Sequence, residues 1–415
     1  MSLAAIILAA GRGTRMRSER PKALHRVCGR TMLGHLLAAA GEAGAKKIVV
    51  VAGYQSGLVR GEAGSRAVVV RQRRLLGSGH AVRQAAKALP GFRGAVLVLY
   101  CDTPLVSSAT LGKLIGAYRR NACEAALLSA RPEDPAGYGR VEKDGRGFVR
   151  RIVEETDAGA AQKALREVNV GCYVFRSEAL FAALARVSRN PVKKEYYLTD
   201  AVGILAASGK VAAVPVDDTA ETLGINTQRD LMTAENLMQQ KILDRWIDRG
   251  VRLRDPRSTT IDAGVEIGHD TVILPHTVIE DSCVIGKNCV IGPFARIRGG
   301  SKIGDGCVIG NFVEVVRSVV GEKTQIKHLS YIGDARIGAG VNVGAGAITA
   351  NFDGKKKHKT VIKDKAQIGS GTILVAPVTV GRAAKTGAGS VIPKGKNVPA
   401  GQVVAGVPAR FLGKH

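Results

Sequence analysis

Aromatic side chains are scarce in this chain of 415 residues: they make up 4% of it, and tryptophan occurs once. Readers of single-stranded nucleic acid interleave basic residues with stacking rings, and no such pattern is present. Paired cysteines are lacking too. The seven cysteines, at 28, 101, 123, 172, 283, 289 and 307, form no CxxC pair and no Cys/His cluster with metal spacing. That argues against a zinc site and for free thiols in a reducing compartment. No apolar run approaches the roughly 18 residues that span a bilayer. The N-terminal run lacks a basic leader and meets a glycine turn at once, so a strand is expected rather than a signal peptide, and a cytoplasmic setting with it. Acidic residues are few, 35 against 61 basic, for a formal charge of +26. Nucleic acid would suit such a surface, but anionic small substrates explain it as well.

What is present describes a folded protein. Hydrophobic residues make up 45% and charged residues 23%, and the length favours two domains over one core. Residues 1–227 alternate short apolar strands, at 3–10, 47–53, 96–101, 124–129, 168–175 and 211–215, with helical patterns at 31–43, 78–89, 107–119 and 177–187. That alternation predicts a mostly parallel α/β sheet of Rossmann-like type, with ligands beyond the carboxyl ends of the strands. Residues 228–250 read as one polar helix closed by Gly250, a linker in which Trp246 is expected to pack.

Residues 251–415 follow a different rule. Aliphatic side chains recur every six positions from Ile261 to Val315, and a small residue such as Thr271, Cys283, Cys289 or Cys307 sits two places before most of them. This is the hexapeptide pattern of a left-handed parallel β-helix. Aliphatics point inward and small residues fill the corners. Residues 18 apart should stack, so Cys289 and Cys307 are expected one strand spacing apart, buried, reduced and inert. The period breaks after Val315 and at "NFDGKKKHKT" (351–360), then resumes over 326–348 and 362–392.

The stretch "IILAAGRGTRM" ends a buried strand at Gly11 and sets arginines beside it. Gly11 and Gly13 would let backbone N–H groups approach phosphate oxygens, with Arg15 and Lys22 adding charge. The spacing fits neither a P-loop nor the dinucleotide fingerprint. With "LAAGRGTRMRSERPKALH", the segments "GSGHA", "LYCDTPL", "AGYGRV", "IVEE", "EVNVG", "EYYLTD" and "GINT" complete a set. The chain resembles the bifunctional N-acetylglucosamine-1-phosphate uridylyltransferase and glucosamine-1-phosphate N-acetyltransferase family along its whole length.

That resemblance implies acetyl transfer from acetyl-CoA to glucosamine 1-phosphate, then uridylyl transfer from UTP, giving UDP-N-acetylglucosamine. It places Leu8, Ala9, Ala10 and Gly11 around the nucleotide, Gln72, Gly77 and Ser78 on the uracil, and Arg15 and Lys22 on the phosphates. Asp102 and Asn226 would bind Mg²⁺, a hard cation suited to oxygen ligands. Tyr100, Gly139, Glu154, Asn169, Glu195, Tyr197 and Thr199 fall where the nucleotide and sugar are held. Cys101 stands where the family usually has glycine. No general base is needed, because the sugar phosphate is already a good nucleophile.

For the second half the resemblance implies a homotrimer with acetyl-transfer sites between subunits. His328, within "HLSYIGD", matches the general base. Arg298 matches the phosphate ligand, Tyr331 and Asn342 the sugar contacts, and Lys357 the loop lysine. Ala345, Asn351, Phe352, Ser370 and Ala388 match acetyl-CoA contacts. Three departures stand out: Val316 replaces a lysine that helps bind the sugar phosphate, Phe352 lacks an aromatic hydroxyl, and Gly406 replaces an arginine. Three alternatives follow: a nucleotidyltransferase whose acyltransferase half is degenerate or of broader specificity, a related enzyme with broader sugar or nucleotide choice, and, in another class, a basic nucleic-acid-binding protein.

Overall fold

The computed structural model describes residues 2–414, with side chains to 412. Two compact units form, one from the N-terminus to Val27 with Thr31–Glu235, the other from Cys28–Arg30 with Asn236 onward. Among the described residues, no helix is long and apolar enough to cross a membrane.

In the first unit the seven-strand path of the sheet runs in the order 211–215, 125–130, 168–176, 95–100, 3–9, 47–52, 68–71. Leu3–Ala9 is central because it is apolar on both faces, and all seven of its residues are buried. It pairs in parallel with Lys47–Ala52 on one side and Ala95–Tyr100 on the other. Chain order therefore reverses at this strand, and a crevice opens at its carboxyl end. Helices Met32–Glu42 and Ser108–Arg120 start where Thr31 and Ser107 cap them, their hydroxyl oxygens accepting from Gly34 N and Thr110 N. One strand breaks the parallel rule. Val168–Arg176 is antiparallel to both its neighbours, because the preceding chain turns through the antiparallel hairpin Arg140–Lys143 and Val149–Val153. That hairpin, strand Val68–Arg71 and helices Ser56–Ala63 and Leu198–Ala206 were not foreseen.

Helix Gln228–Asp248 ends as Gly250 turns at φ 83°, and Trp246 is buried with Arg245 and Arg249 over its ring. Beyond it the chain winds into the β-helix, three sheets of two- to six-residue strands. Ile261 pairs in register with Ile279, Ile279 with Ile297 and Ile297 with Val315, the eighteen-residue coil expected from the period. The first interruption is a deletion: Ile303 pairs with Val320, seventeen residues on, and one coil closes a residue short. The second is an insertion, since Ile337 pairs with Ile362 across the extruded loop. Corners turn through left-handed backbone even at residues with a side chain, with φ of 60° at Asp270, 57° at His276, 64° at Ser282 and 56° at Asn288. Cys283, Cys289 and Cys307 are free and fully buried, and burial raises their thiol pKa values.

Candidate functional sites

At the crevice of the first unit lies a cavity of about 320 Å³. It brings together ten of the expected residues: Leu8, Ala10, Gly11, Lys22, Gln72, Gly77, Ser78, Tyr100, Asp102 and Glu195. Leu75, Ala81 and Cys101 complete the wall. Leu75 and Ala81 carry no chemistry to betray them in a sequence, whereas Cys101 stands out there, at a place where the resembled family usually has glycine. Ala9 is instead packed in the sheet core, since alternate strand residues face opposite ways.

Gly11 has nothing within 4 Å of where a Cβ would stand, so its backbone is open to the crevice. Gly13, at φ 65°, lies so close to the Lys22 stem that a Cβ would sit 2.7 Å from it. The ammonium it steers lies 2.9 Å from Asp102 Oδ2 and 2.8 Å from Asn226 Oδ1, and Arg15 Nη2 donates to the same Asn226 oxygen at 2.9 Å. Asp102 is pinned by its carbonyl, which accepts from Ile225 N at 2.8 Å. Asp230 holds Asn226 from behind, accepting from the backbone N–H of Asn226 and Thr227. Burial works against its charge, but those bonds and Lys22 prevail and its pKa is lowered. Two oxygen donors thus converge on one cation, here the ammonium, and a small divalent ion would be met by the same pair. Among the described residues no group of three His, Cys, Asp or Glu side chains could hold a metal by itself.

The other expected residues form a second cluster beside the cavity. Thr199 Oγ1 donates to Glu154 Oε1 at 2.8 Å, Asn169 N donates to Gly139 O at 2.8 Å, and Asn169 Nδ2 donates to Tyr173 Oη at 2.7 Å. A side chain at Gly139 would strike Ile152 at 2.9 Å and approach Glu154 at 3.5 Å, so the glycine keeps the carboxyl accessible. Burial raises the pKa of Glu154, and of Tyr100, whose hydroxyl is bonded to Ser78. Burial also pushes Tyr197 up to about 12, with Asp157 and Glu195 adding to it.

In the second unit the expected acetyl-transfer residues occupy two faces. His328 ends strand Gln325–His328, is exposed, and pairs with Asn311. Above it the corner rises in a column: Gly346 N to His328 O at 3.4 Å, Gly371 N to Ala345 O at 2.7 Å and Gly389 N to Ser370 O at 2.7 Å. Ala345, Ser370 and Ala388 therefore stack over the histidine in successive coils. On the next sheet Arg298 pairs with Val316 and Val316 with Gly333. Glu314 and Glu280 hold the Arg298 guanidinium at 3.2 and 3.8 Å. A Cβ at Gly333 would lie 2.6 Å from both Tyr331 Oη and Asn351 Nδ2, so these two groups converge. Asn342 is not brought to them; it pairs with Gln325 and Gln367 on the sheet of His328.

Val316 is 1% exposed and offers no polar group. Arg317 is committed elsewhere, with Nε and Nη2 at 2.8 and 2.7 Å from the two oxygens of Asp334. Asp334 in turn accepts from Asn351 Nδ2 at 2.5 Å. The Arg317 bond lowers the Asp334 pKa. The extruded loop is a tight hairpin. Phe352 bridges to Lys357, and Asp353 accepts from Lys355 N and Lys356 N at 3.0 and 2.8 Å and meets His358 Nε2 at 2.5 Å.

These features define a two-part transferase. The MobA-like NTP transferase domain family matches residues 5–196, and the bacterial transferase hexapeptide (six repeats) family matches residues 282–317. The chain is 48% identical to the Bifunctional protein GlmU of Pelotomaculum thermopropionicum over 91% of this chain and 90% of that protein. It is 42% identical to that of Heliobacterium modesticaldum, over 99% and 98%, and 41% identical to that of Shouchella clausii, over 94% and 93%. The chain belongs to the GlmU family, bifunctional enzymes that join uridylyl transfer to acetyl transfer.

Proposed function

We propose that the chain acetylates glucosamine 1-phosphate from acetyl-CoA and then uridylylates the product from UTP, releasing pyrophosphate. Residues 1–227 would carry the second reaction, 228–250 link, and 251–415 carry the first. The observation that bears most weight is the convergence of Lys22, Asp102 and Asn226 at a cavity already lined by Gln72, Gly77 and Ser78.

In uridylyl transfer Gln72 and Gly77 take the base, and the open backbone at Gly11 receives phosphate oxygens. Asp102 and Asn226 would hold Mg²⁺, which supplies charge neutralisation on the phosphates when bound. Lys22 and Arg15 face the α-phosphate and the leaving group. Glu154, Asn169, Tyr197 and Thr199 orient the sugar so that its phosphate oxygen aligns with the α-phosphorus.

In acetyl transfer His328 accepts the proton that the 2-amino group loses as its nitrogen attacks the thioester carbon and CoA thiolate departs. The Ala345, Ser370 and Ala388 column lies along the pantetheine arm, Asn351 at its reactive end, with Phe352 and Lys357 on the loop. Arg298 binds the sugar phosphate, Tyr331 and Asn342 the sugar.

One chain separates Asn342 from Tyr331 and Arg298, which supports a site assembled between copies in a homotrimer. An apolar corner points the same way. His276, Phe294 and Phe312 stack at 4.7 and 5.0 Å in successive coils, and Phe294, Phe312 and Leu329 are 46%, 53% and 62% exposed. A ladder of this kind suits burial against another copy. Incubation with acetyl-CoA, UTP and several amino-sugar phosphates, with products identified by mass, tests the assignment. UDP-N-acetylglucosamine is expected, and formation of a sugar nucleotide without prior acetylation would favour the degenerate-acyltransferase alternative.

A further inference from the structure

Gln72 is 4% exposed, and the position of its amide is over-determined. Its Nε2 lies 3.1 Å from the carbonyl oxygen of Gly77 and 2.9 Å from Nδ1 of His80. A carbonyl oxygen only accepts, so the amide end facing Gly77 must be the NH₂ group. That group has two hydrogens, one for Gly77 and one for His80. Nδ1 must then be an acceptor, which places the ring proton on Nε2. The terminal amide of Gln84 lies 3.1 Å from that nitrogen. Since an amide can rotate to present either end, Gln84 offers its oxygen to the Nε2–H. Burial first, and the charge of Arg83 second, lower the His80 pKa, which keeps the ring neutral near pH 7. With both hydrogens of Gln72 engaged, its Oε1 is left to the cavity the residue lines.

We infer that His80, as the Nε2–H tautomer, fixes the Gln72 amide with its oxygen toward the base and thereby selects uracil over cytosine. Uracil carries a hydrogen on N3 and donates to that oxygen. Cytosine has a lone pair on N3, which would face another lone pair. An imidazole carrying its proton on Nδ1 would instead compete for the Gln72 oxygen and turn the NH₂ group outward, toward a base of the cytosine pattern. His80 is thus a positioning residue that acts through Gln72. The inference rests on the proposed uridylyl site.

The test compares kcat/KM for UTP and CTP, with N-acetylglucosamine 1-phosphate as second substrate, in the full-length protein. His80→Phe keeps a ring but removes the acceptor, and should lower the UTP:CTP ratio by about tenfold or more, mostly through KM. His80→Asn returns an acceptor near the place of Nδ1 and should hold the ratio within about threefold of the parent. An unchanged ratio in folded His80→Phe overturns the inference. Independently of any substitution, nitrogen NMR of imidazole-labelled protein should show Nδ1 unprotonated, and a protonated Nδ1 in the neutral ring also overturns it. Gln72→Leu separates the two levels. If it collapses the ratio and His80→Phe does not, only the role of His80 fails. If Gln72→Leu leaves the ratio untouched, the placement of the base itself is wrong.

Discussion

The two units solve the problem of placing reactive groups in opposite ways. In the first, each group hangs on a different element, and the fold gathers them at one crevice: Lys22 follows the first loop, Asp102 lies in the turn after a strand, and Asn226 precedes a helix. In the second, the scaffold is a repeat, and chemistry sits wherever the repeat is broken or its outer face is decorated. His328 and Asn342 lie on one sheet, while Arg298 and Tyr331 lie on the next. The α/β crevice gathers its cluster at one cavity, whereas the flat faces of the prism keep the expected groups on separate sheets.

The largest effects should split along this line. Asp102→Ala removes the oxygen that faces Lys22, and uridylyl transfer should fall by about 10²–10³-fold while acetyl transfer keeps its rate. Separate assays of the two half-reactions check it. Loss of both in a folded variant would show that the units do not act independently. His328→Ala is the converse: acetyl transfer should drop by roughly 100-fold with uridylyl transfer unchanged. A retained acetyl-transfer rate would mean that another group takes the proton.

How far these sites were legible depended on the kind of signal each part carries. The β-helix announced itself because every coil repeats one buried position, and Ile261, Ile279 and Ile297 fall where the period puts them. The extruded loop and the deletion after Val315 were visible as breaks. The direction of a break was not, since nothing in the string says that Ile303 skips one residue to reach Val320. In the first unit the strands 3–9 and 95–100 were plain from their apolar runs. The antiparallel course of Val168–Arg176 depends on which neighbour it meets, a tertiary fact. The supporting residues were the least legible. Asp230 resembled any polar residue at a helix start, although an Asp three places after Thr227 is a capping signal. Asp334 lay inside a quoted motif, and its bond to Arg317 joins residues on successive coils.

A smaller effect tests that coupling. Arg317→Ala leaves Asp334 holding Asn351 alone, and the acetyl-transfer kcat should fall by about threefold to tenfold, with the acceptor KM little changed. Arg317 stands beside Val316, where the resembling family has a phosphate-binding lysine. A rise confined to the acceptor KM would mean that Arg317 binds substrate phosphate rather than positioning Asn351.

The smallest effect concerns stability, and it arises in the crevice rather than the prism. Glu154 accepts from Thr199, but burial, reinforced by Asp200 and Asp157, raises its pKa above the ordinary carboxylate value. The folded state therefore binds the proton more tightly than the unfolded chain. The stability linked to that proton is fully present below the unfolded pKa and is lost as pH rises through the raised folded value. Wherever the side chain is ionised, its buried charge is a burden on the fold. Glu154→Gln preserves an acceptor for Thr199 and removes the charge. Its Tm should exceed the parent's by about 2 °C at pH 7.5, and the difference should shrink as pH falls toward 4, where the parent carboxyl is itself protonated. A Tm difference of constant size across that range would assign the effect to packing rather than to the buried charge.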